Sequence, residues 1–205
     1  MTVTIGKPVE EFSAKTTNNK SISLKKLRGS NFVLYFYPKD NTPGCTSEGL
    51  SFAEHHDAFM AADTLIFGVS MDSLASHKKF RTQHAFPFDL VCDENGALCE
   101  LFDVIRLKRK GDEEFMGIER STFLIDKNGL LQHEWRRVKI KHHVDDVLQA
   151  AHALASAARE PMKEPTKEVV EEIEKEVEVV EKEVEVEVEV EVEKEKVVEE
   201  KKEED

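Results

Sequence analysis

The chain has 205 residues, 35% of them charged, with a formal net charge of −13. Residues 161–205 alone hold eight lysines against nineteen glutamates and one aspartate, so residues 1–160 are close to neutral. That balance speaks against nucleic-acid binding by the globular part, no span has the apolar length of a membrane helix, and Met1 to Lys7 lacks the apolar stretch of a secretory signal.

Residues 11–14 and 21–23 flank Thr17-Asn18-Asn19, a hairpin signal. Leu24 to Leu27 reads as a short helical turn closed by Gly29. Asn31 to Tyr37 is aromatic and β-branched with no polar alternation, which predicts a strand buried on both faces. Pro38 has no N–H to give a ladder and ends that strand. Thr42 and Pro43 then place a hydroxyl at an N-cap and a proline at the first helical position, so Cys45 falls third in a new helix. Thr64 to Ser70 predicts a second buried strand, and Ser73 caps a helix running to about His84. Asp93 to Gly96 is a turn, followed by a helix at 97–102 that carries Cys99. Residues 121–125 and 130–137 surround the turn Asp126-Lys127-Asn128-Gly129. An amphipathic helix covers about 144–157. Strands separated by helices and then joined by a hairpin predict an α/β fold, a mixed central sheet flanked by helices.

Residues 158–205 read as a separate region. A linker with Pro161 and Pro165 comes first, then Val170, Ile173, Val177, Val180 and Val184 at helical spacing. From Glu183 to Glu193 glutamate alternates strictly with valine, which is a strand period. The two periods conflict, and the expectation is a solvated, disordered extension. The alternative is an interaction arm of unspecified partner. Two basic clusters are its candidate docking sites in this chain, Arg106-x-Lys108-Arg109-Lys110 and Arg136-Arg137-x-Lys139-x-Lys141.

Cys45 is the chemical focus. A free thiol has a pKa of about 8.5, and a helix N-terminus or a nearby cation lowers it. The thiol at a third helical position lies beside unpaired backbone N–H groups at the positive end of the helix dipole. A lone cysteine usually reads as an inert core residue. Strand end, proline, N-cap and first-turn placement together favour a reactive one. Three widely spaced cysteines without a CxxC pair suit a reducing compartment, so a cytoplasmic location is expected. The pairs His55-His56 and His142-His143 do not suggest a metal. Neighbours on a helix point about 100° apart, and zinc-ligand spacing is missing.

Pro38-x-x-x-Thr42-x-x-Cys45 matches the active-site signature of the peroxiredoxins. The longer string Tyr37-Pro38-Lys39-Asp40-Asn41-Thr42-Pro43-Gly44-Cys45-Thr46, with Glu48, resembles the bacterioferritin-comigratory or peroxiredoxin Q branch of the AhpC/TSA family. The resemblance continues through Gly68-Val69-Ser70, Phe86-Pro87-Phe88, residues 98–104 and residues 120–126, and so spans a domain of residues 1–157. It implies a thioredoxin-like fold. It also implies a thiol peroxidase of antioxidant defence, reducing hydrogen peroxide and organic hydroperoxides to water and alcohols. In that resemblance Cys45 attacks the terminal peroxide oxygen and Thr42 orients the peroxide. Arg120 favours the thiolate and the charge developing on the oxygens, and Pro38 shields the sulfur from water. Gly44 and Glu48 complete the site. No metal or flavin is implied, because thiolate attack on O–O gives a sulfenic acid directly. The implied partners are a hydroperoxide substrate and a thioredoxin- or glutathione-type reductant, with the chain a monomer or weak dimer.

From the residues alone, Arg120 reads equally as a surface ion-pair member at a strand start. Glu48, three residues after Cys45, either holds Arg120 or is a favourable first-turn acid. The sequence also departs from the family. Many members of the branch carry a resolving cysteine five residues after the first, where this chain has Leu50, and the segment His77 to Thr82 offers none. Cys92 and Cys99 remain, each either a core residue or a partner for the oxidised sulfur. Cys99 is the candidate, after local unfolding. A second class of function, a peroxide sensor or relay passing oxidation to a partner through Cys45, shares the same thiol chemistry. A third is a scaffold whose role lies in the tail.

Overall fold

The aromatic run forms β3 (Asn31–Phe36), and all six of its residues are buried. Strands pair along both of its edges, which is why no polar alternation is needed. The computed structural model describes residues 3–111 and 113–159, within one unit, Met1–Arg159. The expectations for residues 160–205 lie outside the described residues.

In chain order the elements are β1 (Ser13–Thr16), β2 (Ser21–Ser23), α1 (Leu24–Leu27), β3, α2 (Pro43–Glu54), α3 (His56–Ala61), β4 (Thr64–Ser70) and α4 (Leu74–Gln83). Then follow β5 (Asp89–Cys92), α5 (Ala97–Leu101), β6 (Ile105–Lys110), β7 (Glu113–Ile118), β8 (Ser121–Ile125), β9 (Leu131–Trp135) and α6 (His143–Arg159). Seven strands form one sheet in the order β2-β1-β5-β4-β3-β8-β9, while β6 and β7 pair with each other. β3 runs parallel to β4, and β4 to β5, while β8 lies antiparallel on the other edge of β3. This is the mixed sheet the alternation of elements predicted. The helix after β9 begins at His143 and ends at Arg159, a little beyond the expected span.

Alternate residues of β3 point to opposite faces, and each face has its own core. Phe32, Leu34 and Phe36 pack with Leu24 and Leu27 of α1, Leu98 and Cys99 of α5, and Phe102 and Phe123. Val33, Tyr35 and Tyr37 pack with Cys45 and Phe52 of α2, Phe59, Phe80 of α4, and Val144, Val147 and Ala151 of α6. Each fully buried side chain of this size contributes roughly 1.5–3 kcal/mol of apolar transfer free energy. The turn between β8 and β9 is held by Asp126, whose Oδ1 accepts from the N–H groups of Asn128 and Leu130 at 2.8 and 2.9 Å. Gly129 takes φ +84° there, a left-handed value that suits glycine.

Four elements were not anticipated: α3, β5, β6 and β7. Residues 105–118 carry a basic run and then an acidic one, which hides their alternation. The pairing itself reveals the logic, since Arg109 lies opposite Glu114 and donates to it at 2.8 Å. The first basic cluster expected to receive the tail therefore lies on this hairpin, and Arg106, Lys108 and Arg109 have partners nearby. Arg106 makes two bonds to Asp103 at 2.7 and 2.8 Å, and Lys108 donates to the Ile118 carbonyl at 2.5 Å. In the second cluster Arg136 bonds Glu134 at 3.0 Å and Arg137 bonds Glu119 at 3.3 Å.

Candidate active site

The backbone places Cys45 where the local signals predicted. β3 ends before Pro38, Thr42 is the N-cap of α2 with extended dihedrals (φ −88°, ψ 146°), and Pro43 opens the helix. Cys45 is thus the third helical residue. One detail differs from expectation. The Thr42 hydroxyl makes no capping bond. It donates instead to the Lys39 carbonyl at 3.1 Å, closing the turn that Asn41 makes with φ +56°. Thr42 itself is half-buried, and Pro38 is exposed.

Tertiary structure brings Arg120 to this helix end from the start of β8. Its Nη2 donates to Cys45 Sγ at 3.2 Å, across 75 residues of chain. Its Nη1 donates to Glu48 Oε2, whose side chain is fully buried. The reading of Arg120 as a surface ion-pair member is therefore corrected: the pair is enclosed, with the Arg120 side chain 15% exposed. Glu48 holds Arg120 rather than serving as a solvated first-turn acid. A Cβ on Gly44 would stand 3.2 Å from Ile140 Cδ1, a tight contact, and 3.5 Å from Arg120 Nη2, an ordinary one.

The electrostatics follow from this burial. Burial raises the Glu48 carboxyl to about 7, against the opposing pull of Arg120. Burial works against the Arg120 charge, but Glu48 and Cys45 outweigh it and hold the guanidinium above its ordinary value. Lys108, on the hairpin that leads into Arg120, is lowered by burial and by the Arg120 charge. At the sulfur itself, a guanidinium N–H donates to Sγ, and the thiol lies in the first turn of α2. Cys45 is 2% exposed, so these interactions operate with little water between them.

The other thiols are placed differently. Cys99 is fully buried in the core on the far side of the sheet from Cys45. Burial and the neighbouring Asp93 push its thiol well above the ordinary value. A bond to Cys45 would require the sheet to open, and the structure does not bring the two together. Cys92 ends β5 and is half-buried, with Sγ 3.4 Å from the Asp72 carbonyl. Burial, then Glu94, raises its pKa. β4 lies between β3 and β5, which separates the two strand ends by about 10 Å. Leu50, five residues after Cys45, is 44% exposed on α2.

Sequence reasoning missed a buried polar cluster under the turn: Tyr37, Asp40, Ser76 and His77. Tyr37 and Asp40 stood inside the recognised string, but nothing local marks His77 as their partner. Thr122 and His143 were missed as well. Thr122 Oγ1 and His143 Nε2 are 2.8 Å apart, and burial first, then Arg120, lowers the imidazole to about 4.

The sheet and its flanking helices are those of a peroxidase built on the thioredoxin plan. The AhpC/TSA family model matches residues 5–134, and the chain belongs to that family. Within it the chain is similar to peroxiredoxin Bcp of Bacillus subtilis, 48% identical over 149 residues, which cover 73% of this chain and 95% of that protein. It is 47% identical over 133 residues to peroxiredoxin Bcp of Xanthomonas campestris, covering 65% of this chain and 83% of that one. Among solved structures, Xanthomonas campestris peroxiredoxin Q superposes with a TM-score of 0.68 at 43% identity, covering 70% of this chain and 91% of its own. A cysteine-to-serine variant of Xylella fastidiosa peroxiredoxin Q gives 0.70 at 37% identity, covering 75% and 98%. The fold is accordingly the thioredoxin-like peroxiredoxin fold, and the activity is that of a peroxidase.

Proposed function

We propose that Cys45 reduces hydrogen peroxide and organic hydroperoxides. The thiolate attacks the terminal oxygen, the O–O bond breaks, and Cys45 becomes a sulfenic acid. The departing oxygen takes up a proton and leaves as water or an alcohol. The observation that carries this reading is Arg120 Nη2 at 3.2 Å from Cys45 Sγ, with the other arm of the guanidinium anchored on buried Glu48. A donor held in that way meets the charge that develops on sulfur and oxygen without reorganising, and such fixed donors supply the greater part of most enzymatic rate enhancements. Thr42 and Pro38 frame the entrance. A solved structure of the Xanthomonas campestris bacterioferritin comigratory protein concerns alkyl peroxide reduction through a trapped intermediate and ligand complex, which supports organic hydroperoxides as a substrate class.

The sulfenic acid is then reduced by an external thiol of the thioredoxin or glutathione type, because Cys99 is closed off in the opposite core. The test is peroxide consumption by the full chain with each thiol donor in turn. Multiple turnovers that vanish in Cys45→Ser support the reading. A single turnover ending in a stable mixed disulfide with one protein partner would replace it by the relay.

A further inference from the structure

The polar cluster beneath the turn between β3 and α2 makes no bond to the sulfur, yet it is deeply enclosed. His77, on α4, is fully buried, and Asp40 is 6% exposed. His77 Nδ1 lies 3.0 Å from both carboxylate oxygens of Asp40. A carboxylate only accepts, so Nδ1 carries the hydrogen and donates. Tyr37 Oη donates to Asp40 Oδ1 at 2.7 Å, and Ser76 Oγ donates to Oδ2 at 2.7 Å. The Asp40 N–H donates to Asp72 Oδ2 at 2.8 Å, and Ser70 Oγ holds the same Asp72 oxygen at 2.7 Å. Asp40 is therefore gripped from the end of β3, from α4 and from the turn after β4. Burial works to raise its carboxyl, but His77, Ser76 and Tyr37 outweigh burial and hold it below the ordinary value.

The place of this grip gives it meaning. Asp40 sits two residues after Pro38 and two before Thr42. Asn41 beside it adopts a left-handed φ of +56°, which costs most L residues. With its midpoint tied to α4, so short a segment cannot move at one end and stay put at the other. An enclosed cluster of polar side chains is a poor device for stability alone, since the cost of taking such groups out of water cancels much of their mutual attraction. We infer that the Asp40–His77 pair sets the shape of residues 38–42 so that Pro38 and Thr42 frame the path of a peroxide to Cys45. Both are then positioning residues, and His77 acts only through Asp40. The inference rests on the peroxidase reading above.

The experiment compares two rates at Cys45 in the full chain: oxidation by hydrogen peroxide and alkylation by iodoacetamide, with folding checked by near-ultraviolet circular dichroism. In His77→Leu the peroxide rate falls roughly tenfold to a hundredfold, as for a misplacement of about 1 Å, while alkylation keeps its rate. His77→Asn, whose amide donates to Asp40 from the same place, recovers most of the loss. Ser76→Ala gives a smaller fall of the same selective kind. A folded His77→Leu oxidised at the unaltered rate overturns the inference. So does a parallel loss of both rates, or an Asn variant as slow as the Leu one. If His77→Leu does not fold, Ser76→Ala decides: a selective fall supports the inference, and an unchanged peroxide rate overturns it. An unaltered chain whose Cys45 meets peroxide no faster than free cysteine overturns the peroxidase reading, and this inference with it.

Discussion

Cys45 and Cys99 are packed into the two opposite faces of one sheet. Between them stands β3, every residue of which is buried, so neither thiol reaches the other without opening the core. One equivalent of peroxide is therefore expected to leave an added oxygen on Cys45 and no Cys45–Cys99 bridge. Peptide mass analysis under non-reducing conditions checks this. A bridge formed as fast as the oxidation itself would refute the placement.

Arg120→Ala removes the donor to the sulfur and leaves Glu48 buried without its cation. Loss of one such donor lowers the peroxide rate by about a hundredfold to a thousandfold. Breaking a buried pair from one side costs on the order of 3–5 kcal/mol, less where the carboxyl takes up a proton instead. Adding Glu48→Gln to Arg120→Ala is expected to recover stability but not rate. Urea unfolding and stopped-flow oxidation of the two variants beside the unaltered chain separate the two effects.

Glu48 makes stability depend on pH with a definite sign. Its carboxyl is raised from 4.5 to about 7 in the folded chain, so the native state holds the proton more tightly than the unfolded one. That contribution is fully present below 4.5 and is lost as pH rises through about 7. The loss amounts to a few kcal/mol. Glu48→Gln is expected to flatten the urea midpoint over this interval, and an unchanged slope would contradict the burial of the ionised group.

His143 contributes in the other direction. Its imidazole is lowered from 6.5 to about 4, so the stability it supplies is present above 6.5 and is lost as pH falls through about 4. Replacing it with phenylalanine, which keeps the contacts to Phe52 and Trp135, should reduce the acid sensitivity of unfolding. Midpoints measured at several pH values in the Glu48→Gln background isolate the share that belongs to His143.

Gly68→Ala tests the floor of the site. A Cβ there would lie 2.5 Å from Tyr35 Cζ and Oη and 2.9 Å from Leu90 Cδ2. Tyr35 is stacked on Phe52 of α2 with ring centroids 4.5 Å apart, so the clash cannot be absorbed by a flexible side chain. Overpacking of this kind costs about 1–3 kcal/mol. A melting temperature equal to that of the unaltered chain would show that the strand has room to move.

The amino-acid sequence by itself determined where β3 stops, where α2 starts and that Cys45 sits third in that helix. Proline, an N-cap and an aromatic run act within a few residues of themselves, so their consequences are local. Only the tertiary structure decided what stands against the sulfur. Arg120 comes from 75 residues away, and His77 meets Asp40 across 37. Those meetings depend on strand order and register, which no short segment encodes. The same holds for Cys99: its helix was legible, but the face of the sheet it packs on followed from the crossover that carries the chain to the other side. The hairpin of β6 and β7 stayed hidden because its stabilising charges are paired across strands, and a run of like charge along one strand is uninformative until its partner strand is known.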